Sequence, residues 1–393
     1  MPRLPCGRGI IFGMKIVFTG GGTGGHFYPI VAVAEGIEAI VDERRLVSPE
    51  LFYIGPQPFD DAALLEHDIE YRRSPAGKRR AYRSVWNVLD VFKTGWGILW
   101  SIIQLFPIYP DVVFSTGGYA AFPTLFAARI LNIPVVIYDA DAKPGKVSLW
   151  SAKFAKWIAV AHQGAAAAFP EKIRPRVALT GHPIRTEIET VAREGGYEFL
   201  KLDPSVPTLF FMGGSQGAQA INEVVLDALL ELVTRYNVVH QTGAGNLQEI
   251  TSVACVVLRD SRFQNRYRTF GLLNTLALRM TAGISSLVIA RAGSGSIFEI
   301  AVWKLPSILI PLPLDISHDQ TENAFSYART GAAVVMEQKN LTPHLLQAEI
   351  ERIMNDSALR EKMSGAAAAF ARPGAGRKIA EIILETSLQH EPL

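Results

Sequence analysis

The sequence predicts an α/β protein built from two doubly wound, Rossmann-like domains with a cleft between them. Four short, continuous apolar runs, at residues 15–19, 111–115, 208–212 and 286–290, each precede a glycine-rich segment and a helical pattern. Strands that are apolar along their whole length are buried on both faces, as in parallel sheets covered by helices. The length of 393 residues exceeds what one compact core usually supports, so two domains are expected.

Weaker runs of the same kind extend the strand pattern. We predict further strands at 51–55, 134–139, 157–161, 237–243 and 306–312. The segment 181–207 is polar, contains glycine and proline, and has no long apolar strand, so we place the interdomain link there. Ligands in doubly wound sheets bind beyond the carboxyl ends of the strands, where the glycine-rich segments fall.

Composition and charge exclude several classes of protein. The net charge is only +2, so binding to nucleic acid is not expected, and any preference for anions must be local. Cys6 and Cys255 stand in unrelated contexts, which argues against a disulfide framework or a thiolate metal site and favours a reducing cytoplasm. The first 13 residues lack the apolar core and cleavage site of a signal peptide, so we interpret them as an extension or as the result of a start codon chosen upstream of Met14.

The first glycine loop, Gly20–Gly25, matches the spacing of the dinucleotide fingerprint, but the following strand ends in Gly55-Pro56 instead of the acidic residue that an NAD site needs. What remains is a turn and a helix start suited to phosphate. The alternative is a tight turn that needs glycine only for its geometry. His26 closes the loop and is equally suited to be a general base, a phosphate donor or a turn cap.

Later loops offer further polar groups. Ser215 adds a hydroxyl to the third loop, and Glu299 follows the fourth loop, where its carboxylate could bind ribose hydroxyls. By spacing alone, Ser296-x-x-Glu299 is better explained as a helix capping box. Asp319, Gln320 and Asn323 form one polar helix face that suits a sugar but is also common on helix surfaces. Asp139-Ala140-Asp141 resembles an Asp-x-Asp metal motif, although so short a match is frequent by chance.

Basic residues precede an aromatic stretch in the first half of the chain. They are Arg72, Arg73, Lys78, Arg79, Arg80 and Arg83, and the aromatic residues are Trp86, Trp96 and Trp100. The apolar run 95–109 is too short to span a bilayer, but together with these cations it suits the surface of an anionic membrane. The alternative is a solvated basic loop followed by a buried helix.

Six motifs in this order resemble the MurG family of GT-B glycosyltransferases, of the family 28 type. They are GGTGGH (21–26), STGGYAAFP (115–123), GHPIRTEI (181–188), GGSQGAQAIN (213–222), RAGSGSIFEIA (291–301) and HDQTENA (318–324). The resemblance implies an inverting β1→4 transfer of GlcNAc from UDP-GlcNAc to a lipid-linked muramoyl-pentapeptide in peptidoglycan synthesis, without a metal or cofactor. It further implies a peripheral protein at the cytoplasmic face of the bacterial membrane.

The same resemblance assigns the domains and the site. We expect an extension at 1–13, an acceptor and membrane domain at 14–185 joined by a helix at about 372–393, and a UDP-GlcNAc-binding domain at 186–371. Substrate contacts carry over to Thr23, Gly24, Gly25, Arg185, Ser215, Leu272, Ser294, Gly295, Ser296, Ile297, Phe298, Glu299, Gln320 and Asn323. His26 is the first candidate for the general base, with Asp139 or Asp141 second. Asp141 is also expected to contact the substrate near the sugar, where it departs from the family, since an asparagine is expected there.

Two other classes of function share these features. A UDP-GlcNAc 2-epimerase, or another GT-B enzyme of UDP-sugars, has the same architecture and donor but needs no lipid acceptor and no apolar surface at 82–109. A nucleotide-binding membrane protein without activity is the third class. The retained His26, Arg185, Glu299 and Gln320 argue against it.

Overall fold

The computed structural model describes residues 13–77, 86–214, 217–314 and 316–390. Several predictions lie outside these described residues: nearly all of the N-terminal extension (1–12), the basic residues Lys78, Arg79, Arg80 and Arg83, the side chain of Trp86, the donor-contact candidate Ser215, and the end of the C-terminal helix (391–393).

Two parallel sheets form the described part of the chain. The first has seven strands in the order β3-β2-β1-β4-β5-β6-β7 and the second has six in the order β10-β9-β8-β11-β12-β13. In chain order the first sheet comprises β1 Lys15–Thr19, β2 Glu50–Gly55, β3 Ile69–Arg73, β4 Val112–Ser115, β5 Val135–Asp139, β6 Trp157–Val160 and β7 Val177–Leu179. The second comprises β8 Thr208–Met212, β9 Asn237–Gln241, β10 Tyr267–Phe270, β11 Ser285–Ala290, β12 Ser307–Leu309 and β13 Ala333–Val335.

Helices connect the strands and cover both sheets. In the first half they are α1 Gly24–Arg44, α2 Asp61–Glu66, α3 Trp86–Ile108, α4 Gly118–Ile130, α5 Lys146–Ser151, α6 Gln163–Ala167, α7 Thr186–Glu189 and α8 Gly196–Leu200. In the second half they are α9 Gln219–Arg235, α10 Leu247–Val257, α11 Thr275–Ile284, α12 Ser294–Trp303, α13 His318–Ala328, α14 Pro343–Met354, α15 Ser357–Phe370 and α16 Ala375–Leu388.

The nine predicted strands are all present, and the predicted parallel α/β architecture is confirmed. Four strands were missed: β3, β7, β10 and β13. Each lies at an edge of its sheet, and each is only partly buried, whereas strands such as β1 and β8 are buried almost throughout. An edge strand does not need a continuous apolar run, so its sequence lacks the signal on which the prediction depended.

The strand order fixes where ligands bind. In the first sheet, β2 and β3 lie on one side of β1, whereas β4 and the strands that follow it lie on the other side. In the second sheet the strand order switches sides in the same way between β8 and β11. The helices that follow two such strands lie on opposite faces, which opens a crevice at the carboxyl ends of the strands. All four glycine-rich loops follow one of these four strands.

The C-terminal helix α16 returns to the first domain and packs against α1. A Cβ on Gly376 would stand 2.5 Å from the carbonyl oxygen of Ala32, so the two helices approach at backbone distance. Ile379 and Ile383 are buried in the same apolar cluster as Ile30 of α1. The predicted boundary between residues 185 and 186 falls in the connection from β7 to β8.

Helix α3 is longer than the apolar run that predicted it. By length and composition alone, its residues Asp90–Ile108 are long and apolar enough to cross a membrane, which the sequence argument, counting from Gly95, had excluded. One face of α3 nevertheless belongs to the domain: Ser101 and Leu105 are fully buried, and the Ser101 hydroxyl lies 2.8 Å from that of Ser74. A spanning orientation would have to break this packing.

Candidate active site

In the first glycine loop, some positions can hold only glycine, whereas others border open space. Gly20, Gly21 and Gly22 have φ angles of 152°, 99° and 96°, and side chains on Gly20 or Gly21 would collide with Thr116 and Tyr53. The geometric explanation therefore holds for these three glycines. Gly25 differs, because a Cβ there would meet only the hydroxyl of Thr23. Thr23 and Gly25 thus leave open space at the start of α1.

His26 is held between the first two loops. Its Nδ1 lies 2.9 Å from the carbonyl oxygen of Thr116, and the Thr116 hydroxyl donates to the His26 carbonyl oxygen at 2.7 Å. A carbonyl oxygen only accepts, so Nδ1 of the neutral ring carries the proton and Nε2 is left with a free lone pair. Nε2 lies against Gly118, 3.5 Å from where a Cβ would stand. This is the arrangement that a general base requires.

Asp139 is the less suitable base. It is 5% exposed, and its two carboxylate oxygens accept from the backbone N–H groups of Asp141 at 3.1 Å and Gly145 at 3.0 Å. Burial, followed by the charge of Asp141, raises the pKa of Asp139 to about 6. These contacts hold the loop after β5, which gives the carboxylate a positioning role.

The loop after β5 contacts the second domain through predicted site residues. Asn323, 1% exposed, donates from Nδ2 to Asp141 Oδ1 at 2.8 Å and accepts from the Ala142 N–H at 2.8 Å. The Ser294 hydroxyl donates to the Ala140 carbonyl at 2.6 Å and lies 3.2 Å from Asp141 Oδ1. The structure therefore joins Asp141, Ser294 and Asn323, which were predicted as separate substrate contacts, across the interdomain boundary.

Glu299 is not a helix cap. Helix α12 begins at Ser294 with Gly293 as its N-cap and no side-chain capping bond, so Ser296 lies inside the helix and the capping-box interpretation is wrong. Among the described residues, the Glu299 carboxylate has no hydrogen-bond or ion-pair partner. Burial raises the pKa of Glu299 to about 7, against a smaller lowering by the Arg185 charge.

Arg185 bridges the two domains beside Glu299. Its guanidinium lies over the ring of Tyr28 in α1, 4.6 Å from the centroid, and donates to the Thr275 hydroxyl in α11 at 3.4 Å. The charges of Arg185 and Glu299 both affect the pKa of Tyr28, which is raised chiefly by burial. A cation and an unpaired carboxylate therefore lie together where the domains meet.

The remaining predicted contacts are spread along the second domain. Gly295 and Ser296 lie in the first turn of α12, where backbone N–H groups are free. The side chains of Ile297 and Phe298 are buried, so only their backbone could reach a ligand. Other residues named in the prediction include Gln320, whose Oε1 accepts from the Leu312 N–H at 3.1 Å, and Leu272, which is 54% exposed after β10.

Sequence reasoning missed several polar groups near the start of α12, among them Arg291 and His182. Arg291 donates to the Ile310 carbonyl at 3.1 Å, and burial lowers its pKa to about 10. His182 is 5% exposed and stacks on Phe298 with ring centroids 5.6 Å apart. Both stand inside quoted motifs, but a single arginine or histidine carries no pattern that reveals its surroundings.

Protein groups contact both carboxylates of the Asp-x-Asp pair. Asp139 is occupied by backbone N–H groups and Asp141 by Asn323. Within the described ranges, no group of three or more His, Cys, Asp or Glu side chains is arranged to hold a metal ion.

Comparison with known proteins identifies relatives that match most of the chain. Residues 16–160 match the glycosyltransferase family 28 N-terminal domain, and residues 208–377 match the C-terminal domain of that family. A protein of Treponema denticola, named UDP-N-acetylglucosamine--N-acetylmuramyl-(pentapeptide) pyrophosphoryl-undecaprenol N-acetylglucosamine transferase, is 33% identical over 361 residues, covering 89% of this chain and 90% of the relative.

Two solved structures share the fold. The crystal structure of Acinetobacter baumannii MurG superposes with a TM-score of 0.70 at 23% identity, covering 95% of this chain and 99% of the other. A putative UDP-N-acetylglucosamine 2-epimerase from Listeria monocytogenes superposes with a TM-score of 0.65 at 13% identity, covering 97% and 98%. At these identities the likeness concerns the fold alone, and the fold does not separate a transferase from an epimerase.

Proposed function

The chain belongs to glycosyltransferase family 28, and from that premise we propose that it transfers GlcNAc from UDP-GlcNAc to the C4 hydroxyl of a lipid-linked muramoyl-pentapeptide. Relatives that carry this transferase name match about nine tenths of the chain, at 33% identity in Treponema denticola. The proposed product is the disaccharide-pentapeptide lipid of peptidoglycan synthesis, with inversion at the anomeric carbon.

One observation carries the position of the donor: the Glu299 carboxylate lies close enough to Tyr28 of the first domain to affect its pKa, yet it has no hydrogen-bond or ion-pair partner among the described residues. A partly buried carboxylate without a hydrogen bond is unfavourable unless a ligand satisfies it. Two adjacent ribose hydroxyls are donors that a single carboxylate accepts together. We therefore place the uridine half of the donor against the second domain, with its ribose on Glu299.

The leaving group is a diphosphate whose negative charge grows as the glycosidic bond breaks. Gly293–Ser296 present free backbone N–H groups at the positive end of α12, and the cation of Arg185 lies beside Glu299, close enough to lower its pKa. Groups already aimed at a developing charge stabilise a transition state without reorganising. This supports charge neutralisation by helix dipole and arginine, so we expect a chelator such as EDTA to leave turnover unchanged.

The acceptor hydroxyl must lose a proton as it attacks the anomeric carbon. His26 Nε2 carries the free lone pair, because Nδ1 is committed to the Thr116 carbonyl. The charge of His26 also contributes to lowering the pKa of His182, whose ring stacks on Phe298 of α12, so His26 lies near that helix. We propose His26 as the base and Asp139 as the residue that holds the loop after β5.

The acceptor is a membrane lipid, and α3 offers a surface for it. Its exposed face carries Phe92, Trp96, Leu99, Ile103 and Phe106, between 48% and 73% exposed. They recur every three or four residues along one side of the helix, and Trp96 stacks on Trp100. Exposed aromatic residues in one stripe mark a lipid-facing surface. We propose that this face binds the cytoplasmic leaflet as a peripheral contact.

Product analysis tests the proposal. Purified protein is incubated with UDP-GlcNAc, first alone and then with a lipid-linked muramoyl-pentapeptide. Release of UDP and formation of a β1→4 disaccharide only when the acceptor is present is the expected result. Conversion of UDP-GlcNAc alone to its manno epimer would identify an epimerase and contradict the proposal, as would binding of UDP-GlcNAc with no turnover under either condition.

A further inference from the structure

His182 follows β7 and lies in the interior between the two domains. Its side chain is 5% exposed, and its Nδ1 lies 2.6 Å from the hydroxyl of Tyr138, which is fully buried in β5. Its ring stacks on Phe298 of α12, with an interplanar angle of 20°. The imidazole is therefore fixed by a first-domain tyrosine on one edge and by a second-domain helix on its face.

The Tyr138 contact determines which nitrogen of His182 carries the proton. If Nδ1 donated to the tyrosine, the buried hydroxyl hydrogen would have no acceptor among the described residues, because no other hydrogen bond of Tyr138 is present. When Tyr138 donates to Nδ1, both groups are satisfied. His182 then carries its proton on Nε2. Burial lowers the pKa of His182 to about 3, so the ring is a neutral donor at physiological pH.

The Nε2–H of His182 points at the start of α12. Nε2 lies 3.6 Å from where a Cβ on Gly295 would stand, beside the backbone N–H groups of the first helical turn. Among the described residues it has no hydrogen-bond partner. A buried side chain at least nine-tenths covered, with an unused donor beside a helix N-terminus, is suited to an anionic oxygen.

We propose that His182 is a further donor-binding residue, whose Nε2–H donates a hydrogen bond to a diphosphate oxygen of the UDP-sugar held at the start of α12. This inference rests on the proposed function and extends it by one named contact. Gly295 fits the same arrangement, since the absence of a side chain leaves the space in front of Nε2 open to the diphosphate.

Calorimetric affinities for UDP and for uridine test the contact, because only UDP carries the diphosphate. The variant H182N keeps an acceptor for Tyr138 but is too short to reach α12, whereas H182Q places an N–H near the former position of Nε2. We expect H182N to weaken UDP binding about tenfold to a hundredfold, as for a hydrogen bond to a charged group. Uridine affinity should stay within twofold, and H182Q should recover most of the loss.

A second variant, G295A, tests the space in front of His182 Nε2 without changing the contact between His182 and Tyr138. In G295A a methyl group would cover Nε2 at ordinary contact distance, so UDP binding should weaken in the wild-type background but hardly further in H182N. Equal losses of UDP and uridine affinity in H182N, or unchanged UDP affinity, would overturn the role of His182. Wild-type protein that binds no UDP would instead refute the proposed function itself, and the inference with it.

Discussion

The affinity for UDP-GlcNAc should rise with pH through the titration of Glu299. Burial raises the pKa of this carboxyl from 4.5 to about 7, and the ionised form is the one that accepts hydrogen bonds from both ribose hydroxyls. About one eleventh of the sites are ionised at pH 6 and about ten elevenths at pH 8, so the apparent dissociation constant should fall about tenfold between them. That change corresponds to about 1.4 kcal/mol.

Titration calorimetry with UDP-GlcNAc at half-unit steps from pH 5.5 to 8.5 measures this effect. The intact donor is preferred to UDP because each of its phosphates carries one ester and one anhydride bond and so has no further proton to lose in this range. The matched control is Glu299→Gln, which keeps the shape and removes the titration. It should bind weakly, with an affinity that is flat across the same pH range.

A different pH dependence would refute the reasoning. If wild-type affinity is constant, or falls as pH rises through 7, the ionised carboxylate does not bind the donor. If Glu299→Gln retains the full slope, a group other than Glu299 is responsible for the pH dependence.

Three further predictions follow from the same contacts. Glu299→Gln should stabilise the ligand-free protein by about 1–2 kcal/mol at pH 8, after discounting for partial exposure, but by little at pH 5. The reason is that a raised carboxyl pKa makes wild-type stability fall as the pH rises from 4.5 to about 7. Equal melting shifts at both pH values would contradict this. His26→Ala should lower kcat at least about a hundredfold while calorimetric donor affinity stays nearly constant, and unchanged turnover would remove His26 as the base. Replacing Trp96 and Phe106, 58% and 70% exposed, by serine should weaken sedimentation with anionic vesicles by about 3 kcal/mol if half of their exposed surface enters the bilayer. Val256→Ser, at a site 62% exposed on α10, is the control, and equal partitioning of both variants would exclude α3 as the membrane contact.

The fold could be predicted because each central strand has a sequence pattern that can be recognised within a few consecutive residues. Strands such as β1, β4, β8 and β11 are buried on both faces, so each is a continuous apolar run followed by glycine. Edge strands are partly exposed to solvent, so their sequences lack a continuous apolar run. Helix α3 was predicted only in part, because its apolar run shows that a helix is present but does not mark the residue at which the helix begins.

The site could be predicted only in part. Glycine loops and helix starts follow from the chain itself, so the loops proposed to bind the donor could be placed at the carboxyl ends of the strands. The contacts of Arg185 with Tyr28, and of His182 with Tyr138, join residues 157 and 44 positions apart along the chain. No local pattern records such pairs, since they arise only when distant parts of the chain fold together.

Asp141, which departs from the expected asparagine, has a different role in the structure from the one that the sequence predicted. As a sugar ligand, an acid in place of asparagine adds an unfavourable charge next to a diphosphate. In the structure it accepts a hydrogen bond from Asn323 at 2.8 Å and lies beside Ser294, the first residue of α12. A carboxylate is favourable at a helix N-terminus, so Asp141 stabilises the contact between the domains through the dipole of α12, the helix proposed to bind the donor. Two anions at one helix start repel each other, so at the proposed site the donor diphosphate would bind against the charge that helps to hold the domains together.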